Sequence, residues 1–169
     1  MEYCFAIVAN DKIIDTIREV LFEVLKIAKI NGSLQKVYVK TSNKQEVGIY
    51  LFRVSRVSPR AKLYSSSVDY IAILESMDDD SQEAISKLLR ERGVLVFRKG
   101  EIDISFFVDK MPSVINLEKD RGRENVLAVL LNDITRLLAV KRETMYRILK
   151  SKIKNEDMDL VEAYRMVNK

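Results

Sequence analysis

Polar residues follow the first apolar stretch of the chain, at the position where α/β proteins most often bind ligands. Tyr3–Ala9 is apolar on both faces, which predicts a buried strand, and Asn10 and Asp11 come directly after it. Amides at a helix N-terminus point toward such a turn, so phosphate or dinucleotide binding is the chemistry to test first. A phosphate loop needs glycine for close backbone approach, and Ala9–Lys12 contains none. We therefore predict that Asn10 or Asp11 caps a helix.

Two further features carry reactive or metal-binding side chains. Asp78–Asp80 places three carboxylates together, but consecutive side chains diverge and acidic residues favour helix N-termini. We interpret this run as the start of a helix, with Asp80 and Glu83 forming a capping box. Cys4 alternates with apolar neighbours in the first strand, which predicts a buried, inert thiol.

The composition excludes several kinds of catalytic site. The sequence has no His and one Cys. Ser–His and Cys–His nucleophiles, the usual zinc sites and an iron–sulfur cluster held by this chain alone are therefore ruled out. The 29 basic and 25 acidic residues give a net charge of +4, which is only a mild attraction for polyanions. The residues by themselves predict no catalytic constellation, and no cofactor is expected to be bound by this chain alone.

A strand–helix–strand unit positions these side chains. Val68–Leu74 and Val94–Phe97 are short apolar runs that predict buried strands, and the residues between them have helical periodicity. We expect the helix to include Arg90 and Arg92 in its last turn and to end at Gly93. A strand–helix–strand crossover favours a parallel sheet with helices on both faces. The strands from Tyr3 and from Val68 should lie near its centre.

The other elements follow from the same patterns. We predict further strands at Leu34–Lys40, Val47–Val54 and Ile102–Phe106, with a break at Ser58-Pro59 and a loop at Pro112 and Glu118–Glu124. The first predicted helix runs from Asn10 to about Ile30 and is ended by Asn31-Gly32. The other helices are predicted over Asn125–Val140, from Arg142 to about Ile153 and over Asp157–Val167.

The predicted fold is a single α/β domain over residues 1–169. It has an open, mostly parallel, Rossmann-like sheet flanked by helices, with the C-terminal helices of residues 125–169 packed on it. We find no secretory signal and no apolar run long enough to cross a membrane. With a single cysteine the chain has no disulfide framework, so we expect it in the cytoplasm.

The segment Ile134–Lys150 has the pattern of a helix-turn-helix. An apolar helix, a tight turn at Ala139-Val140 and a second helix with a basic face would suit DNA binding. The alternative is a plain helical hairpin with a solvated basic face, because the turn lacks the usual glycine. The candidate DNA-contacting residues are Lys141, Arg142, Thr144, Tyr146, Arg147 and Lys150, and Lys152 and Lys154 extend the basic face.

Four stretches, taken together, resemble the gamma subunit of 2-oxoacid:ferredoxin oxidoreductases, the family that acts on pyruvate, 2-oxoisovalerate and indolepyruvate. Phe52–Ser55 is similar to the strand that ends the family's glycine-rich central segment. Val68–Leu74 and Gly93–Val96 look like the family's two strands around a crossover helix. Arg123–Val129 resembles the segment that enters a long apolar helix. The resemblance covers nearly the whole chain.

The resemblance implies a function and a set of site residues. Family members work beside subunits with thiamine diphosphate and iron–sulfur clusters, and many help to form the site used with coenzyme A. The family's first turn reads G-x-G-G-Q-G where this chain has Ala9–Lys12, and its central E-A-R-G-G survives only as Glu46–Gly48. The cofactor-binding positions implied are Asn10, Asp11, Glu46, Gly48 and Asn125.

Two hypotheses follow from the sequence. The first is a divergent gamma-like subunit of a 2-oxoacid:ferredoxin oxidoreductase, accessory or structural rather than catalytic alone, in a hetero-oligomer with alpha and beta subunits. Thiamine diphosphate, coenzyme A and iron–sulfur clusters would then belong to the partner subunits, and no membrane is involved. The second is a DNA-binding protein that uses the helix-turn-helix at about residues 134–150, with nucleic acid as its partner.

Overall fold

The architecture is a six-stranded sheet with helices on both of its faces, seen in a computed structural model that describes residues 2–55, 67–154 and 158–167. The strands are β1 (Glu2–Val8), β2 (Asn31–Lys40), β3 (Glu46–Ser55), β4 (Val68–Ile73), β5 (Leu89–Arg98) and β6 (Ser113–Leu117). The helices are α1 (Asp11–Ala28), α2 (Asp79–Ser86), α3 (Arg123–Leu137), α4 (Arg142–Lys152) and α5 (Met158–Met166), with a 3-10 helix at Ile104–Lys110.

The strand order is β2-β3-β1-β4-β5-β6, which places β1 and β4 at the centre as predicted. The pairs β1/β4, β4/β5 and β5/β6 are parallel, whereas β3 is antiparallel to both β1 and β2. Five of the six strands in the described ranges therefore point the same way. The predicted open, mostly parallel α/β sheet is confirmed.

Both faces of the central strands are buried. On one face Phe5 and Ile7 of β1 pack with Tyr70 of β4, under α1 and α3, with α4 and α5 in the same core. On the other face Ala6 and Ile71 pack under α2 and the 3-10 helix. No helix in the described part of the chain is long and apolar enough to cross a membrane.

The first helix begins as predicted and ends slightly earlier than predicted. Asn10 Oδ1 accepts a hydrogen bond from the Ile13 amide at 2.9 Å, so Asn10 is the cap. The helix ends at Ala28, and Lys29 takes a left-handed conformation with φ 56°. Gly32 lies in β2, where a Cβ would stand 2.6 Å from Leu25 Cδ1 and 2.8 Å from the Arg53 carbonyl oxygen. Close packing, not helix termination, explains this glycine.

The predicted helix that ended at Gly93 is wrong in its second half. α2 ends at Ser86, and β5 begins at Leu89. Arg90 does not stabilise a helix C-terminus, because its Nε lies 2.7 Å from Asp69 Oδ1. Arg92 has a φ of 59°, and the register between β4 and β5 shifts before Val94. Because the backbone is irregular here, residues whose apolar side chains have helical spacing form the start of β5 instead of the end of a helix.

The start of α2 also differs from the predicted capping box. Asp78 is the cap, and its Oδ1 accepts from the Ser81 amide at 2.8 Å. Asp80 instead accepts hydrogen bonds from Asn43 and Ser42 in the loop between β2 and β3. The run of three aspartates therefore serves helix capping and a loop contact, and no group of metal-ligating side chains occurs among the described residues.

The region after β5 was predicted wrongly. Ile102–Phe106 is not a strand: a 3-10 helix spans Ile104–Lys110, and Asp103 caps it by accepting from the Ser105 amide at 2.9 Å. The residue buried in the core is Phe107, whereas Ile104 of the predicted apolar face is exposed. The sequence reading missed β6, an edge strand whose residues are mostly exposed.

The C-terminal helices match the predicted elements closely. α3 begins at Arg123 and ends at Leu137, two to three residues earlier at each end than predicted. α4 and α5 confirm the last two helices. The predicted break at Ser58-Pro59 and the predicted first residue of the last helix, Asp157, lie outside the described residues.

Replacing Gly93 with Ala should destabilise the fold by about 1–3 kcal/mol, because overpacked cores force neighbouring atoms to move. A Cβ at this position would stand 2.5 Å from Leu89 Cδ1 and 3.0 Å from the Asp69 carbonyl oxygen. Gly48→Ala is the matched control, since its Cβ would meet the flexible end of Lys36 at 2.9 Å and the Tyr38 ring at an ordinary contact distance of 3.4 Å. Urea unfolding of both variants tests this, and equal stabilities would contradict the packing argument.

Candidate ligand site at the switch point of the sheet

The chain leaves the two central strands in opposite directions. β1 leads through α1 toward β2 on one side of the sheet, and β4 leads through α2 toward β5 on the other side. The two helices consequently cover opposite faces. A crevice forms beyond the carboxyl ends of the strands where the direction changes, and open α/β sheets bind ligands there. The hydrogen bond from the Leu74 amide to the Val8 carbonyl, at 2.9 Å, marks that edge.

The turn after β1 is closed by its own side chains. Asp11 accepts hydrogen bonds from the Tyr50 hydroxyl and from Lys36 Nζ, the latter at 3.0 Å. The Tyr50 and Lys36 hydrogen bonds lower the pKa of Asp11. The hydrogen bond with Asp11 raises the pKa of Lys36. Burial, followed by the hydrogen bond to Asp11, raises the pKa of Tyr50. Asp11 is thus a carboxylate that accepts hydrogen bonds from two side chains of its own chain. It lies in the turn where a glycine-rich loop would contact a phosphate group.

A cavity of about 200 Å³ lies between the N-terminal turns of α1, α3 and α5. Its apolar wall is formed by side chains from all three helices and by the residue that follows β4; these are Ile13, Leu74, Leu127 and Leu160. Its polar groups are Thr16, Arg123, Glu124 and Asp159. The cavity is smaller than the 300–1,000 Å³ typical of sites for drug-sized ligands.

The N-terminus of α3 supplies one positive and one negative charge to this cavity. Gly122 precedes the helix without a side-chain cap, and the Glu124 carboxylate lies where a Cβ on Gly122 would stand. Arg123 Nη1 is 4.0 Å from Glu75 Oε1, a long contact in which the arginine side chain is 48% exposed. Arg123 is therefore held loosely enough to turn toward a ligand.

A second ion pair reinforces the same edge of the sheet. Glu101 accepts from Ser76 Oγ at 2.6 Å and pairs with Arg98. Burial opposes ionisation of Glu101, but these hydrogen bonds outweigh it and lower its pKa. Arg98 also donates to the Arg121 carbonyl at 3.0 Å, in the loop before α3. The network ties that loop to the end of β5 and so positions the α3 N-terminus.

The five predicted cofactor-binding residues lie toward this edge but do not form one cluster. Asn10 and Asp11 are engaged in the cap and in the closed turn. Glu46 and Gly48 begin β3, where they pair with Lys40 and Tyr38. Asn125 is partly buried in the first turn of α3, and its backbone N–H donates to the Gly122 carbonyl. None of the five lines the cavity, and their role as cofactor contacts stays a prediction.

Sequence reasoning missed the residues that do line it. The sequence predicts a charged loop at Arg123 and Glu124, although an acidic residue just before an apolar helical run also fits the first turn of a helix. Asp159 carried no signal, because its approach to α1 and α3 is a tertiary contact. Cys4 is buried as expected, and burial raises the pKa of its thiol to about 11.

Another polar pair missed by sequence reasoning lies beneath α3. The buried Tyr70 hydroxyl donates to Asp133 Oδ2 at 2.6 Å. Burial raises the pKa of Tyr70, and the negative charge of Asp133 raises it further. This bond anchors α3 to β4 and borders a separate groove of about 440 Å³ that is floored by Tyr3 and Phe5. The groove lies at the start of β1, away from the switch point.

The α3–α4 hairpin is built as a packed pair of helices. Met145, Ile148, Leu149 and Ile153 are buried, as the apolar periodicity predicts, while Arg147 and Lys150 are exposed.

Arg142 is not available as part of an exposed basic face. Its Nη2 donates to the Tyr164 and Arg165 carbonyls, at 3.0 and 2.9 Å, and so satisfies the C-terminal carbonyls of α5. Lys150 lies over the Tyr146 ring, Thr144 is partly buried and Lys141 is exposed before α4. The helical-hairpin interpretation fits this geometry, and nothing found in the structure or in similar proteins supports the DNA-binding alternative.

The fold has counterparts among solved structures. No protein-family model matches the sequence, and no curated protein sequence matches it significantly. The gamma subunit of the keto/oxoacid ferredoxin oxidoreductase from Geobacter sulfurreducens is similar, with a TM-score of 0.54 and 15% identity, over 98% of this chain and 94% of that one. Subunit PORC of the pyruvate oxidoreductase from Thermotoga maritima has a TM-score of 0.52 and 14% identity, over 98% and 90%.

These similarities define the class of fold. This chain has the fold of the gamma subunits of 2-oxoacid:ferredoxin oxidoreductases along nearly its whole length, in agreement with the resemblance seen in the sequence. At such low identity the likeness concerns the arrangement of elements, and side-chain chemistry has to be argued from this chain's own residues.

The closed turn should give stability a distinctive pH dependence. The pKa of Asp11 is lowered in the folded state, so its contribution is full above the unfolded carboxyl pKa of about 4 and is lost as pH falls through the folded value. Asp11→Asn should destabilise the protein at pH 7, and the difference from the unmodified chain should shrink at acidic pH. Asp15→Asn, on the same helix, is the control. Urea unfolding at several pH values measures the effect, and a pH-independent difference would contradict it.

Proposed function

We propose that this chain is a divergent gamma-like subunit of a 2-oxoacid:ferredoxin oxidoreductase, with an accessory or structural role rather than catalysis of its own. The observation that supports the proposal is the shared fold over 98% of this chain and at least 90% of each similar subunit. Many unrelated α/β proteins share a single strand–helix–strand crossover unit. Here the similarity extends over whole chains, so it is not limited to one such unit.

The partners in this proposal are the alpha and beta subunits of such an enzyme, in a hetero-oligomer in the cytoplasm. The iron–sulfur clusters belong to those subunits, because this chain has no His and one buried Cys. The resemblance to the family assigns thiamine diphosphate to them as well. The accessory role follows from the site. The turn that would need glycine is closed by Asp11, Tyr50 and Lys36 instead.

Coenzyme A does not fit the groups present at the switch point. The cavity of about 200 Å³ is too small for a nucleotide with a pantetheine arm, and Glu124 and Asp159 would repel its phosphates. We therefore derive no step through coenzyme A in this chain. If the assembled enzyme uses it, partner subunits supply the phosphate contacts.

Assembly with such partners is the direct test of the proposal. The tagged chain, expressed at its normal level in its own organism, should co-purify in fixed ratio with two subunits that contain thiamine diphosphate. Deleting its gene should lower 2-oxoacid-dependent reduction of a viologen dye in the extract. A tagged unrelated protein of similar size controls for adhesion to the resin. A chain that elutes alone, together with unchanged dye reduction in the deletion strain, would refute the proposal.

The isolated chain should bind neither coenzyme A nor a nicotinamide dinucleotide with sub-micromolar affinity, and should turn over no 2-oxoacid. The reason is the turn without glycine and the carboxylates around the cavity. Isothermal titration calorimetry with each compound measures this. Glu124→Gln serves as a comparison, since removing one carboxylate should not create tight binding in a cavity of this size. Sub-micromolar binding to the unmodified chain would contradict the expectation.

A further inference from the structure

The cavity between α1, α3 and α5 presents groups of both signs beside an apolar wall. Arg123 is positive, Glu124 and Asp159 are negative, and Leu127 and Leu160 lie on the apolar side. Among the described residues no hydrogen bond or ion pair joins Glu124 or Asp159 to another side chain. The ion pair of Arg123 with Glu75 is long, at 4.0 Å, and its charge also acts on Glu101 without a direct contact. These charges are available to a ligand.

The N-terminus of α3 changes the electrostatic balance of this cavity. It has no side-chain cap and carries about half a positive charge, which offsets part of the negative charge of the two carboxylates. An anion alone would meet Glu124 and Asp159, and a cation alone would meet Arg123 and the α3 dipole. A molecule with one charge of each sign can satisfy both groups at once.

We propose that this cavity binds a small zwitterion with an apolar side chain, namely an apolar α-amino acid. Its carboxylate pairs with Arg123, its ammonium group pairs with Glu124 and Asp159, and its side chain packs on the apolar wall. The volume of about 200 Å³ suits a compact metabolite and excludes a nucleotide. The site stands independently of the proposed function, because every residue that forms it belongs to this chain.

Three ligands that differ only in charge test the proposal on the full chain. L-Leucine has both charges, 4-methylvalerate lacks the ammonium group and 3-methylbutylamine lacks the carboxylate. Isothermal titration calorimetry at low ionic strength should show the strongest binding for leucine, roughly threefold to tenfold tighter than for either analogue, as expected for charge pairs at partly exposed sites. Binding of leucine should weaken with added salt.

Charge-removing variants should separate the two halves of the ligand. Arg123→Gln should weaken the binding of leucine and 4-methylvalerate but leave that of the amine unchanged or improved. Glu124→Gln and Asp159→Asn should weaken leucine and the amine but leave 4-methylvalerate unchanged or improved.

The chain offers matched controls for these variants. Glu143 is the second residue of α4, as Glu124 is of α3, and Arg136 lies at the other end of α3. Glu143→Gln and Arg136→Gln should alter none of the three affinities. Urea unfolding checks that every variant is folded.

Several outcomes would overturn the inference. They are equal or tighter binding of either single-charge analogue, no binding of any of the three compounds, and equal effects of the cavity and control variants. Failure of the chain to assemble with an oxidoreductase would refute the proposed function and leave these titrations unaffected, so the two failures can be told apart.

Discussion

The structure depends on burying both faces of two adjacent parallel strands. β1 and β4 are apolar on both sides, so helices must cover each face. Crossovers between parallel strands are right-handed, so chains that leave neighbouring strands in opposite directions put their helices on opposite faces. This constraint places α1 on one side and α2 on the other, and it opens the crevice beyond Val8 and Ile73. The position of the ligand site is thus a consequence of core burial.

Sequence patterns predicted the elements that bury a continuous apolar stripe or run. β1, β4 and α1 belong to this group, because the spacing of apolar residues within each element predicts which of its side chains are buried. The failures occurred where long-range contacts override that periodicity. Arg90 lies in β5, where it pairs with Asp69, and Phe107 of the 3-10 helix is buried in the core. Neither contact is visible within a window of neighbouring residues.

The same distinction explains what could be foreseen of the site. The capping role of Asn10 follows from local sequence. The partners of Asp11 do not, since Tyr50 and Lys36 come from β3 and β2, 39 and 25 residues away in sequence. The cavity combines α1, α3 and α5, which are distant in sequence and meet only through the packing of the C-terminal helices on the sheet. Its charges could be read from the sequence, but their proximity could not.

The turn after β1 contains no glycine, and its chemistry differs from that of a phosphate-binding turn. A phosphate-binding turn leaves backbone amides free and needs no charge of its own. Here Asn10 caps α1, and Asp11 is held by a tyrosine and a lysine, so the turn is electrostatically satisfied without a ligand. The loosely paired Arg123 and the carboxylates of Glu124 and Asp159 lie instead on α3 and α5, around the cavity. The proposed site therefore favours balanced charge over a polyanion, in a crevice that the burial of the core creates.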